Sequence, residues 1–221
     1  MLNGLRLGIE SAAINAYLYS DVADAGVCWS LDVRCKEHVF PDATDAPCFA
    51  PCFFTDVLPL SVPDWSAIAG SRLHFDLETD PGEDGGPTLY LCDYEPLRES
   101  DIRIGQRHDN RFDLEWSGRA DANFDETYGS NMPFCIRGQA EFGQLEVRFW
   151  SEPGQQDGFE TAAKALLDAH GLRHDNLTYD GMRRFRDDPD NPNYGLIRCF
   201  FTPSRSSGQQ QLSPAPTFHI H

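Results

Sequence analysis

Apolar and polar side chains alternate along most of the first 150 residues. From Cys28 to Lys36, Trp29, Leu31, Val33 and Cys35 fall on one phase and Ser30, Asp32, Arg34 and Lys36 on the other, the period of a half-buried β-strand. The same period recurs at Leu73 to Glu78. It appears again at Arg111 to Trp116, where Phe112, Leu114 and Trp116 oppose Asp113 and Glu115, and at Gln144 to Trp150, where Leu145, Val147 and Phe149 oppose Glu146 and Arg148. Thr88 to Cys92, Asp101 to Gly105 and Pro133 to Gln139 read as further strands. Ile14 to Tyr19 fits two patterns, since Ile14, Leu18 and Val22 also suit a helix running from Ser11 to Gly26; the strand reading is adopted. Between the runs lie turn formers, including the acidic segment Thr79 to Gly86 and a second loop over Phe124 to Asn131. Short strands at such spacing predict an antiparallel sandwich or a strongly curved sheet.

The alternation stops at Ser151-Glu-Pro-Gly-Gln-Gln, and a helical pattern follows. Asp157 suits the N-cap with Glu160 completing a capping box, Phe159, Ala163, Leu166 and Leu167 form the apolar stripe, and Gly171 ends the helix. One further strand is predicted at Leu196 to Thr202. The predicted fold class is therefore α+β and mostly β: a β-rich antiparallel region over 1–150, a helix-strand unit over 151–202 packed on it, and a flexible Ser/Gln/Pro-rich tail over 203–221.

Charge changes what this architecture can bind. Asp and Glu number 35 against 18 Lys and Arg, a net charge of −17, whereas a small soluble domain is comfortable at a magnitude of about 2–8. Such a surplus repels phosphate backbones and anionic membrane surfaces, which excludes nucleic acid and membrane as partners of this chain alone, and it favours a basic protein. Only Lys36 and Lys164 are lysines, a bias that folding does not require and that points to a GC-rich, bacterial coding sequence. Uncharged stretches such as Ser11 to Ser20 and Ala46 to Thr55 are about half the roughly 20 residues a membrane helix needs. The Leu5, Leu7, Ile9 run breaks at Glu10 and is no secretory signal. A cytoplasmic location is expected.

Chemistry is harder to find. The seven cysteines, Cys28, Cys35, Cys48, Cys52, Cys92, Cys135 and Cys199, lack the paired two-residue spacings of a zinc site and read as reduced thiols, with a disulfide in the proline-rich bend around Cys48 and Cys52 as the alternative. Arg107-His-Asp-Asn110 repeats as Arg173-His-Asp-Asn176, and both copies read as turns rather than base-orienter pairs. Asp187 to Asn193 has a calcium loop's composition without its glycine or terminal glutamate, and the terminal His-Ile-His has no third ligand. No phosphate loop or dinucleotide fingerprint is present, so no cofactor and no metal is expected. The basic run Met182 to Arg186 precedes an acidic segment and suits ion pairing. Asp76 with Glu78, and Asp113 with Glu115, would each place two carboxylates about 6–7 Å apart on one strand face, a spacing also used by glycosidases. Of the four tryptophans, Trp29 and Trp116 share the apolar phase, whereas Trp150 falls on the polar phase and Trp65 follows Pro63-Asp64, so only those two are candidates for the surface.

These features leave three classes open. The leading one is an acidic protein-binding inhibitor or adaptor that covers a basic partner, as an immunity protein covers its cognate toxin. The others are a carboxylate-dependent, glycosidase-like hydrolase and a carbohydrate-binding β module built on Trp65 and Trp150. For the first, the expected contact residues are Asp76, Glu78, Asp80, Glu83 and Asp84, one strand face with its adjoining acidic loop.

Overall fold

The computed structural model describes residues 6–20, 26–40, 48–76, 86–91, 93–121, 129–151, 158–185, 195–204 and 219–220. Its strands are β1 (Ile9–Tyr19), β2 (Cys28–Cys35), β3 (His38–Val39), β4 (Cys48–Phe49), β5 (Cys52–Leu58), β6 (Arg72–Phe75), β7 (Thr88–Tyr90), β8 (Tyr94–His108), β9 (Arg111–Ala120), β10 (Met132–Ser151), β11 (Leu177–Phe185), β12 (Gly195–Pro203) and β13 (His219–Ile220), with helix α1 at Phe159–Ala169. The fold is α+β and mostly β.

The sheet is strongly curved and returns on itself. Strands β1, β2, β5, β7, β8, β9 and β10 are hydrogen-bonded in that order by antiparallel pairs, and β10 then pairs in parallel with β1. That last pairing closes a ring of seven strands, with β6 added to β8 beside β7. Closure hides backbone edges that an open sheet would leave exposed. It depends on the length of β10. Residues 132–141 pair with β9, while residues 141–148 pair with β1 and 145–151 with β12. Strands β12 and β11 extend the sheet past the ring, and β13 pairs with Ile136 and Arg137.

Alternation decides which side chains fill the ring. Ala12, Ile14, Ala16 and Leu18 of β1 point inward with Trp29, Leu31, Val33 and Cys35 of β2 and with Phe112, Leu114 and Trp116 of β9. In β10 the inward phase changes between Phe142 and Leu145, where the register with β1 shifts. A bulge at this point lets one strand continue while its faces exchange, and it explains why the sequence pattern shows two strands where the fold has one. Aromatic rings dominate the interior: Phe53 lies 5.1 Å from Phe134 and 6.3 Å from Trp116, and Trp29 lies 6.2 Å from Phe142.

Helix α1 packs on the sheet. Its Phe159 meets Phe149 at 5.9 Å, and Phe159, Ala163 and Leu167 belong to the same contiguous core as the ring. Gly171 (φ 68°) ends it as expected: the amides of Gly171 and Leu172 donate to the carbonyls of Asp168 and Leu167, the two bonds of a Schellman motif. At the other end Gly158 occupies the N-cap with no side-chain capping bond, and Glu160 pairs with Lys164 at 2.6 Å rather than closing a capping box. Asp157 lies outside the described residues.

Three other expectations change. Trp65 is buried, 4% exposed, because a short 3-10 helix at Trp65–Ile68 drives it into the core, where it stacks on Phe142 and meets Phe112 edge-on at 6.1 Å. Strand β6 stops at Phe75, leaving Asp76 exposed outside it. Five strands were not read from the sequence, the two-residue β3, β4 and β13 and the longer β5 and β11. β5 sits among prolines that disguise it, and β11 carries a bulge between Tyr179 and Gly181 that breaks its alternation. Trp150, by contrast, is 42% exposed, as its phase predicts.

Both Arg-His-Asp-Asn copies end in a turn: Arg107 and His108 close β8 and Asp109-Asn110 lead into β9, while Asp175-Asn176 lead into β11. They converge on the same segment. The Arg107 guanidinium lies over the Trp65 ring at 4.6 Å, while Arg173 binds the Asp64 carboxylate and donates its amide to Pro63 at 2.7 Å. His108 and His174 face Asp113 and Asp168 at 3.4 and 3.2 Å.

Candidate binding face

Side chains on the outward phase of β10, β1, β2, β5, β7 and β8 form one continuous surface. Register pairs Tyr17 with Glu146 and Tyr19 with Arg148 between β1 and β10, Asn15 with Ser30 between β1 and β2, Asp32 with Phe54 between β2 and β5, and Tyr90 with Cys52 and Tyr94 on either side of β7. Directly opposed residues share a face. This surface has two parts, a polar cleft and an aromatic cluster.

The cleft has a volume of about 400 Å³ and is lined by Asn15, Ala16, Tyr17, Ser30, Asp56, Gln144, Glu146 and Arg148. Its firmest wall is built around Glu146, which is buried although charged. Arg148 donates to it from Nε at 2.9 Å, Gln144 donates at 2.7 Å, and Arg198 lies at 3.6 Å. Such pairing is what makes a covered carboxylate tolerable. Arg148 also donates to the Tyr19 hydroxyl at 2.7 Å and lies over the rings of Tyr17 and Tyr19 at 4.4 and 5.1 Å. Burial alone would lower the Arg148 pKa, but Glu146 and the Tyr19 hydroxyl hold it above the ordinary arginine value. The Tyr17 hydroxyl donates to the backbone carbonyl of Asp56 at 3.2 Å. Burial, followed by the nearby Cys28 and Asp56, pushes its pKa up to about 12. A Cβ on Gly143 at the β10 bulge would stand 2.6 Å from Asn15 Oδ1, so a larger residue there would push the Asn15 side chain aside.

The Asp56 carboxylate differs from Glu146. It is exposed, and among the described residues no hydrogen bond or ion pair engages it. The charges lining the cleft are thus Glu146 and Arg148, which compensate each other, and Asp56, which is uncompensated.

The aromatic cluster adjoins Asp56 along β5. Tyr94 is 67% and Tyr90 42% exposed, their rings 5.0 Å apart, and Phe54 meets Tyr94 edge-on at 6.0 Å. Val57 adds further exposed apolar surface, with Asp93 at the hairpin and Asp32 in the adjacent strand, where Arg34 pairs with it at 3.1 Å. The Cys52 thiol is pushed up to about 12 by burial and by Asp32, which disfavours the thiolate.

Of the predicted contact residues, Asp76 is exposed at the end of β6, and Glu78, Asp80, Glu83 and Asp84 lie outside the described residues. The second carboxylate pair, Asp113 and Glu115, is held in a cross-strand ladder. Glu115 receives Arg137 at 2.8 and 3.0 Å and Arg103 at 3.5 Å, and Asp113 receives Gln139 at 3.2 Å. Among the described residues no three His, Cys, Asp or Glu side chains gather as metal ligands, the six described cysteines are unpaired, and no helix is long and apolar enough to cross a membrane.

The acidic surplus is unevenly placed. The described residues carry twenty of the 35 acids but sixteen of the 18 basic side chains. The sheet framework is therefore close to neutral, and most of the surplus belongs to the segments that join its strands. Sequence reasoning missed Tyr17, Asp56, Phe54, Tyr90 and Tyr94, because their meeting depends on which strands become neighbours; the polar phase of Glu146 and Arg148 was the one available signal. No protein-family model, curated protein or solved structure matches the chain.

Proposed function

We propose that this protein is a non-catalytic binding protein, an acidic inhibitor or adaptor that covers a basic protein partner in the bacterial cytoplasm, in the manner of an immunity protein neutralising a toxin. The observation that carries this reading is the exposed Tyr90 and Tyr94 pair, with half-buried Phe54 against it, beside Asp32, Asp56 and Asp93 in a chain of net charge −17. Tyrosine supplies contact area at low entropic cost and is enriched among the residues that dominate binding energy. Surrounding acids add long-range attraction for a basic surface. The acidic segment containing Glu78, Asp80, Glu83 and Asp84, with Asp76, would add to that attraction.

The competing readings have weaker support. A hydrolase needs two convergent acids in distinct environments, and Asp113 and Glu115 are both tied into surface ion pairs and hydrogen bonds. A sugar platform built on Trp65 and Trp150 loses Trp65 to the core.

The test is capture of interacting proteins from bacterial lysate at low ionic strength, followed by association kinetics with the purified partner. A single basic protein whose association slows steeply with added salt supports the reading, because screening acts over about 10 Å at 0.1 M salt. A partner bound with salt-independent kinetics, or no protein partner at all, overturns it.

A further inference from the structure

We infer that the cleft between β5 and β10 is a receptor for one cationic side chain, an arginine or lysine projected by the basic partner, with Asp56 as its counter-ion. This rests on the binding-protein reading above and assigns the contact within it.

Three features converge on this ligand chemistry. The lining of the cleft is polar, so an apolar side chain would leave Asn15, Ser30, Asp56 and Gln144 desolvated without new partners. Within the lining, the Arg148 guanidinium is matched by Glu146 at 2.9 Å, which Arg198 also approaches at 3.6 Å, and the charge left without a partner among the described residues is the exposed Asp56 carboxylate. An added cation can pair with Asp56, whereas an anion would face Asp56 and Glu146 together. The Tyr17 ring also lies in the cleft, with its hydroxyl fixed to the Asp56 backbone. The Arg148 guanidinium already lies over that ring at 4.4 Å, so what Tyr17 supplies is a fixed position for the Asp56 backbone rather than a free ring face.

The ordering of the site fits a preformed receptor. Glu146, Arg148, Tyr17 and Tyr19 hold one another in place before any ligand arrives, so little rotamer freedom remains to be lost on that wall. Asp56 sits next to the exposed aromatic cluster on the same strand, so a basic side chain entering the cleft would bring its neighbours onto Val57 and Phe54.

The experiment uses the full chain and three small probes, Nα-acetyl-arginine amide, Nα-acetyl-lysine amide and Nα-acetyl-citrulline amide, titrated while backbone NMR shifts are followed. The expected result is saturable perturbation of residues 15–17, 30 and 56 by the arginine or lysine probe, none by neutral citrulline, and affinity weaker by about tenfold in Asp56→Asn, the loss of one charge-assisted hydrogen bond. Equal perturbation by citrulline, or no perturbation by either cation, overturns the inference. With a captured partner in hand, Asp56→Asn should slow association or speed dissociation more than Asp175→Asn, which removes the same charge from a turn on the helix side. Equal effects of the two variants would overturn the cleft assignment while leaving the binding-protein reading intact. Failure to capture a basic partner would overturn that reading, and the probe titration would still decide whether the cleft takes a cation.

Discussion

The Trp65 indole lies parallel to the Phe142 ring, with 5.0 Å between centroids and 7° between planes. Phe142 stands at the bulge of the strand that closes the ring, and Trp65 comes from a short 3-10 helix far from it in sequence, so this one contact ties a connection to the closure. Trp65→Ala should cost about 3–5 kcal/mol, measured by chemical denaturation. A loss below about 1 kcal/mol would mean that the ring tolerates the cavity and that Trp65 is no core residue.

Asp64 holds the same helix in place. Its carboxylate accepts from the amides of Ser66 and Ala67 at 2.8 and 3.2 Å and also binds the Ser66 hydroxyl and Arg173. Burial pushes its pKa up, but the Ser66 bonds and the Arg173 charge outweigh burial and leave it below the usual value. A depressed folded pKa contributes stability that is complete above the unfolded value of about 3.9 and is lost as the pH falls through the folded value. Asp64→Asn should therefore destabilise the protein by about 1–3 kcal/mol at neutral pH and flatten the acid limb of its stability curve. An unchanged acid limb would show that Asp64 has no such linkage.

Tyr17 gives the opposite pH signature. Its folded pKa of about 12 exceeds the ordinary value near 10, so its contribution is full below pH 10 and is lost as the pH rises through 12. In a spectrophotometric titration of phenolate, the wild type should show late-ionising tyrosines, Tyr17 and Tyr179, and Tyr17→Phe should remove one of them. Removal of an early-ionising tyrosine instead would contradict the packing described for Tyr17.

Glu146 is the shared anion of Arg148 and Arg198. Glu146→Ala should destabilise by about 3 kcal/mol, because two partly covered guanidinium groups lose their counter-charge. Replacing Glu146 with Leu and Arg148 with Met together should cost less than the single change. A double variant worse than the single one would indicate that the pair contributes more than mutual neutralisation.

Neutralising Asp76, Glu78, Asp80, Glu83 and Asp84 together should lower the association rate with the basic partner by about tenfold or more at low salt, with a smaller effect at 1 M, where the screening length is about 3 Å. Stopped-flow kinetics at several salt concentrations checks this. An unchanged rate would remove this segment from the interface.

Much of the framework was legible because strand faces repeat every two residues. Trp29 and Trp116 could be placed in the core, Trp150 at the surface and the helix stop at Gly171 from local pattern alone. Trp65 could not. Its short helix has no periodicity, and what buries it is an opening in the ring that exists only after distant strands pair. The binding face was hidden for the same reason: Tyr17, Asp56 and Tyr90 are each ordinary outward residues of a strand, and nothing local brings β1, β5 and β7 together.

By itself, then, the sequence determined the β-rich class, the single strong helix, the large negative charge and the identity of most inward side chains, since each follows from local alternation, capping or composition. The tertiary structure decided that the sheet closes through a parallel β1–β10 contact, that Trp65 is interior, and that Asp56 stands uncompensated beside an Arg148 already matched by Glu146. These outcomes depend on strand order and on a single bulge at Gly143, where the gain from burying apolar surface selects among pairings that local preference leaves equal.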